Sequence, residues 1–199
     1  MRGGFLKGQK NMVKNKINEL GRSMIEMLGV LSVVGVISVG GIKVISGAIQ
    51  SQQYTQAITD AAQLADDGRR LVCDYRDDTG YSGGATPVSY GIFLYKSDKY
   101  PHNLTYDTTN NVYTGEMDMT YAVSTVNTNG AFKITISGIP QELCIRMASN
   151  DWGSRNSSGF SGIKINSSTT STTVLSIADA TAACSPNSNS IELSYRGCE

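Results

Sequence analysis

Histidine is almost missing from this 199-residue chain: His102 is the single imidazole, so histidine-based metal binding or acid–base catalysis has no second member to work with. A charge excess is missing too. Seventeen basic side chains stand against 17 acidic ones, without the basic surplus that binding to nucleic acid demands. The four cysteines form no CxxC pair and no zinc-ligand spacing with His102. Gly83-Gly84 lacks the following lysine and helix of a phosphate loop. Asp66, Asp67, Asp74, Asp77 and Asp78 cluster with Arg69, Arg70 and Arg76, but their spacing fits no EF-hand and reads as a solvated charged turn. Serine and threonine are plentiful, yet a Ser-His-Asp site would depend on Pro101-His102-Asn103, which reads as loop. Internal repeats are absent as well. The expectation is a protein that is not an enzyme, with no catalytic residue, no cofactor, no metal and no nucleic-acid partner.

What is present falls into three zones. Residues 1–21 carry five basic side chains (Arg2, Lys7, Lys10, Lys14, Lys16) and one acid, Glu19, leaving 12 basic and 16 acidic side chains over residues 22–199. Residues 24–49 are strongly apolar. From about residue 74 the chain is rich in Ser, Thr, Asn, Gly and Tyr, with short β-favouring runs between turn signals. The length fits one ordinary domain with an appendage.

The apolar zone contains no charge from Met27 to Ile42. At about 1.5 Å per residue that run spans roughly 24 Å, short of the ~30 Å of a hydrocarbon core. Extending it over Met24-Ile25 and Val44–Ile49 makes a span feasible, but admits Lys43 and Glu26. Lys43 can snorkel along its stem. A carboxylate deep in lipid costs ~2.5–3.5 kcal/mol, so by position Glu26 is either a functional residue or an acid resting at the interface with no role. Three readings of this zone stand: an anchor that is processed, a secretory signal peptide cut after Ser46-Gly47-Ala48, or a plain membrane anchor.

The flank is informative. A basic segment runs up to Gly21, and Arg22-Ser23-Met24-Ile25-Glu26 follows it into the apolar run. This resembles the type IV prepilin processing motif over residues 14–50, with a glycine before the cut and a glutamate at the fifth mature position. The resemblance implies that a membrane-embedded prepilin peptidase cuts Gly21–Arg22 on the cytoplasmic face and methylates the new terminus at Arg22. It implies that Glu26 serves assembly. Family members begin with Phe, Met or Leu; Arg22 departs from that and sets a second positive charge beside the terminal amine. The physical logic is independent of the family: an α-ammonium in an apolar bundle and a carboxylate on a neighbouring subunit each offset the other's desolvation, and losing one strands the other.

Beyond Lys43 the helical pattern continues. Ile45, Ile49, Tyr54, Ala57, Ile58, Ala61, Ala62 and Ala65 recur at three- and four-residue steps, predicting a helix from residue 22 to about 72, ~75 Å long, weakly interrupted at Asp66-Asp67-Gly68. Gly29, Ser32, Gly35, Ser38, Gly40 and Gly41 would let helices approach closely. The expected organisation is a basic leader (1–21), a transmembrane and polymerisation helix (22–49), an amphipathic second half (50–73) and a globular head (74–199).

In the head, Val88–Tyr95, a run within Thr114–Thr125, Ala131–Ser137, Ile163–Ile165, Val174–Ile177 and Ile191–Tyr195 are strand candidates, with Asn127–Gly130 turning one hairpin. Pro140 opens a short helix. Residues 154–173 read as an exposed loop. Tyr81, Tyr90, Tyr95, Tyr100, Tyr106 and Tyr113 read as exposed tyrosines, of strand and loop packing sooner than of a carbohydrate platform. Cys73, Cys144, Cys184 and Cys198 allow two disulfides and three pairings. The stretch Ile136–Cys144 resembles the lead into the first cysteine of type IVb pilins. That resemblance implies Cys144–Cys184, followed by a final strand, and leaves Cys73–Cys198; Cys144–Cys198 with Cys73–Cys184 stays open.

The fold class expected is therefore α+β, a long N-terminal helix packed on a C-terminal antiparallel sheet. The resemblance implies a structural subunit of a type IV, IVb-like pilus serving adhesion, aggregation, motility or DNA uptake. Its partners would be further copies or other pilins, the prepilin peptidase, the inner-membrane assembly machinery, and lipid before assembly. A pseudopilin of a type II secretion system, and a membrane-anchored or secreted binding domain that does not polymerise, are the alternatives.

Overall fold

Small side chains on one face of a helix let it lie close against a sheet, and the residues after Ile49 supply such a face. The computed structural model describes residues 5–74, 90–126, 131–153 and 159–196; within the first helix, side chains are described at 24, 26–34 and 44–73. The chain divides into two units, Met1–Ser51 and Gln52–Glu199. Helix α1, Phe5–Asp74, supplies the described part of the first unit and opens the second. It begins well before the predicted start at residue 22.

The second unit is α+β. After α1 come α2 (Gly91–Lys96), β1 (Thr105–Asp107), β2 (Val112–Thr114), a 3-10 turn (Glu116–Asp118), β3 (Thr120–Thr125), β4 (Phe132–Ile139), α3 (Gln141–Ala148), β5 (Phe160–Ile165), α4 (Ile177–Ala183) and β6 (Asn189–Tyr195). The strands form one six-stranded antiparallel sheet in the order β1-β2-β3-β4-β6-β5. β3 and β4 are the expected hairpin, paired from Thr120↔Ser137 to Thr125↔Phe132; the turn residues 127–130 lie outside the described residues.

Alternation along the central strands builds the core. Phe132, Ile134 and Ile136 of β4, Ile191, Leu193 and Tyr195 of β6, and Tyr121 and Val123 of β3 are buried, while their neighbours face the other side and are half-buried. On that second face Lys133 and Glu192 pair at 2.8 Å. Gly138, at φ +82°, takes up the register shift between Ser137 and Ile139, so that Ile139 returns to the core.

Residues 52–74 of α1 cover the core with Tyr54, Ala57, Ala61, Leu64, Ala65 and Leu71. Ala62, expected on this stripe, is exposed, and Leu64 takes its place. The predicted interruption at Asp66-Asp67-Gly68 does not occur. Asp66 faces solvent and pairs with Arg70 at 2.9 Å, and Gly68 is buried. A Cβ on Gly68 would stand 2.9 Å from Cε2 of Phe132. That ring is itself wedged, stacked on Tyr195 at 5.3 Å and against Tyr90 at 6.5 Å. The glycine is thus a close-approach residue and not a helix stop.

Three expectations for the head need correction. Over the described part of Val88–Tyr95 the chain is helical, not extended: Tyr90 and Leu94, one turn apart, are buried, and the Ser97 hydroxyl caps the end by donating to Phe93 O at 2.7 Å. Val174–Ile177 is no strand. Ser176 is the N-cap of α4, accepting from Asp179 N at 3.2 Å and donating to its carboxylate at 2.6 Å, a local signature that outweighs β-favouring composition. The predicted loop 154–173 is interrupted by β5, which contains the strand candidate Ile163–Ile165 and extends it back to Phe160, where the buried rings of Phe160 and Tyr195 meet at 5.8 Å; residues 154–158 lie outside the described residues. Pro140 does open α3, as its N-cap.

Overpacking follows from the Gly68–Phe132 contact. Gly68→Val is expected to cost about 1–3 kcal/mol despite its better helix propensity, read as a lower urea midpoint with an unchanged slope; Gly68→Ala should fall between it and the parent.

Candidate assembly site

The first unit presents an unusual surface for a helix. From Glu26 to Val34 every residue is exposed, among them Met27 (68%), Leu28 (65%) and Val30 (64%), which lie on different sides. A helix that is apolar all round belongs in lipid or inside a larger packed assembly, since water has no face on which to solvate it. Ser32 adds little polarity, because its hydroxyl donates back to Gly29 O at 2.8 Å. Val44, Ile45 and Ile49 continue the exposed apolar surface.

Glu26 sits on this surface. With Gly29, Val30, Val33 and Val34 it lines one shallow hollow, the spacing i, i+3, i+4, i+7, i+8 placing all five on one face. Nothing lies within 4 Å of where a Cβ on Gly29 would be, so the helix is notched one turn beyond the carboxylate. Gly21 and Arg22 belong to the backbone of α1, and their side chains lie outside the described residues. Among the described residues no helix is long and apolar enough to cross a membrane; residues 35–43, in the middle of the expected span, are outside those side chains.

The second feature is the C-terminal part of the head. Cys144 of α3 and Cys184, the C-cap of α4, form a disulfide with 6.0 Å between Cα atoms and 40 residues of separation. The segment between them carries β5 and α4, and β6 follows and enters the sheet between β4 and β5. Cys73, in the last turn of α1, is also disulfide-bonded; Cys198 lies outside the described residues.

Sequence reasoning missed the residue that organises this region. Asn189 is buried (2% exposed). Its amide donates to Ile139 O (3.2 Å) and Ser185 O (3.0 Å), and its oxygen accepts from Ser185 N (2.6 Å) and Asn166 Nδ2 (3.0 Å). Asn166, in turn, accepts from Ser190 N at 2.9 Å. One side chain therefore joins the turn after Cys184, the end of β4 and the end of β5. Its signal was present as Pro186-Asn-Ser-Asn189, a turn tract directly before a β run.

The remaining candidates are dispersed. Among the described residues no group of three or more His, Cys, Asp or Glu could hold a metal; Asp77 and Asp78 lie outside them. Burial, with Asp66 beside it, holds Asp67 above the usual carboxylate range. Of the tyrosines, Tyr90 and Tyr113 are buried, not surface residues, and Tyr81 is outside the described residues. Tyr113 donates to Gly91 O at 2.7 Å and packs on Tyr106 and Tyr100, with ring centroids at 4.7 and 5.3 Å. Tyr95 stacks on Tyr106, and His102 meets only the edge of Tyr100.

A protein-family model described as PilS N terminal matches residues 74–195, the head almost in full. The chain belongs to the PilS N-terminal family. This family is pilin-related, and membership agrees with the long helix and antiparallel sheet described above. No curated protein and no solved structure matches the chain.

Two stability losses follow for this PilS-family head. Cys144→Ser should remove about 3–4 kcal/mol in the chain-entropy account. Asn189→Ala should remove about 1–3 kcal/mol, because it leaves the buried carbonyl of Ile139 without a partner. Urea titrations monitored by Trp152 fluorescence measure both.

Proposed function

We propose that this pilin-related chain is a structural subunit of a type IV, IVb-like pilus, made as a prepilin and polymerised through its N-terminal helix. The observation that carries the reading is the exposed, all-round apolar stretch Glu26–Val34, bearing one carboxylate, on a chain whose head belongs to the PilS N-terminal family. Such a surface has to be covered. Before assembly lipid covers it, with the chain held in the inner membrane and residues 1–21 on the cytoplasmic side. After assembly, neighbouring helices cover it in a filament core.

Prepilin peptidase cuts between Gly21 and Arg22, and Arg22 becomes the methylated mature terminus. The ammonium so created is one partner of a subunit–subunit ion pair, and Glu26 of an adjoining copy is the other. In an apolar core each charge offsets the other's desolvation, and truncating one leaves an uncompensated ion at several kcal/mol. Because the pair forms only at one axial offset between neighbours, it sets register as well as affinity. The notch at Gly29, on the face of Glu26, lets a neighbouring helix come close beside it. The head, tied by Cys144–Cys184, would form the outer surface.

Intact-mass and N-terminal analysis of the protein from its native membrane and from sheared surface material tests the reading. The expected mature chain begins at methylated Arg22. Glu26→Ala should be processed like the parent yet give no fibres, whereas Gly21→Ala should accumulate uncut. A terminus near residue 49 would instead indicate conventional secretion. Normal fibre yield from Glu26→Ala would remove the ion pair as the basis of assembly.

A further inference from the structure

Among the described residues Asp60 is the one acidic or basic side chain, tyrosines aside, that the fold buries almost completely, at 1% exposure. It lies on the inner face of α1, three residues after Ala57 and four before Leu64, both fully buried. Its oxygens are held by neutral donors only. Gln56, one turn earlier on α1, donates to Oδ1 at 2.8 Å, and Asn103, in the turn before β1, donates to Oδ2 at 2.7 Å. The second bond spans 43 residues and pins the helix to the head.

The ionisable groups around it are all of the wrong sign or neutral. Glu116, in the 3-10 turn after β2, acts on Asp60 as a like charge and is itself tied to α1 by Gln53 Nε2 at 3.2 Å. Tyr121 of β3 is fully buried, feels the charges of Asp60 and Glu116, and its hydroxyl has no hydrogen-bond partner. None of the groups acting on Asp60 is a lysine or arginine. A buried carboxylate normally has a cation or several backbone N–H donors to repay its lost hydration. Here it has two amides.

We propose that Asp60, Asn103, Glu116 and Tyr121 form a proton-operated latch, which grips residues 52–74 of α1 firmly when Asp60 is protonated and loosens when it ionises. This goes beyond subunit polymerisation and is independent of it, because every group involved lies in the Gln52–Glu199 unit.

Burial pushes the Asp60 carboxyl above its ordinary 3.8; the bonds from Gln56 and Asn103 oppose that shift, and Glu116 reinforces it. Between the ordinary and the raised value, the folded head therefore binds more proton at Asp60 than the unfolded chain does. The stabilisation is complete below the ordinary carboxylate value and is lost as pH rises through the raised one. Within that window the opening equilibrium of the helix should grow by up to about tenfold per pH unit, the limit for one linked proton.

The test is hydrogen exchange of the full chain in detergent micelles, followed by mass spectrometry of peptides covering residues 54–72 from about pH 4 to about pH 8, after correction for intrinsic rates. The parent should lose protection as pH rises. Asp60→Asn should be as protected as the parent in acid and keep a much shallower pH dependence, the remainder coming from Asp67, which burial also raises. Glu116→Gln, at an exposed position, should move the parent's transition to lower pH and so decides the matter even if Asp60→Asn fails to fold. A flat parent profile, an Asp60→Asn profile parallel to the parent's, or an unmoved transition in Glu116→Gln would each overturn the latch.

Discussion

How closely residues 52–74 of α1 approach the sheet governs the rest of the head. The approach is set by side chains that are nearly absent: Ala57, Ala61, Ala65 and above all Gly68, against which the Phe132 ring lies at contact distance. Phe132 in turn stacks on Tyr195 and meets Tyr90. One glycine therefore couples the helix, both central strands and the entry to α2. Dispersion contacts of this density are individually small but cannot be relaxed one at a time, because each ring's position is fixed by the next.

The same helix presents two different surfaces along its length. Over Glu26–Val34 apolar residues occupy every direction, with a single carboxylate among them. From Gln52 the apolar residues narrow to one stripe and the outer face turns polar. In the first stretch Glu26 lies on an exposed surface. In the second, Asp60 is answered from within the fold, by Gln56 and Asn103. Two carboxylates on one helix thus sit in opposite surroundings: Glu26 on an exposed apolar surface, and Asp60 inside the fold at the expense of its own ionisation.

Much of this was readable from the sequence, for physical reasons that differ by element. The helix, the β3–β4 hairpin, β6 and the short helix after Pro140 announced themselves through period and turn chemistry, which are local. The errors fell where a tertiary contact overrode composition. Tyr90–Tyr95 has β-favouring residues, yet folds as a helix because Tyr90 and Leu94 bury together. Gly68 resembled a helix breaker because its partner, Phe132, is 64 positions away. Asp60 lies three residues after Ala57 and four before Leu64, a spacing that already puts it inside. Asn189 looked like one more turn residue, since nothing local distinguishes an asparagine that caps itself from one that joins three segments. The apolar run and Glu26 were fully legible, because an all-round apolar helix with one acid needs no tertiary information to stand out.

The position of β6 has a consequence for how the molecule is made. The last strand in the chain lies between β4 and β5, both of which precede it by dozens of residues. Until Asn189–Tyr195 has emerged, β5 has no strand to join and the long edge of β4 stays open, a ready template for stray pairing with another chain. A chain that folds from its N-terminal end therefore completes this sheet only once β6 has emerged. The disulfide just upstream of that strand would then keep the waiting segment close by until the gap is filled.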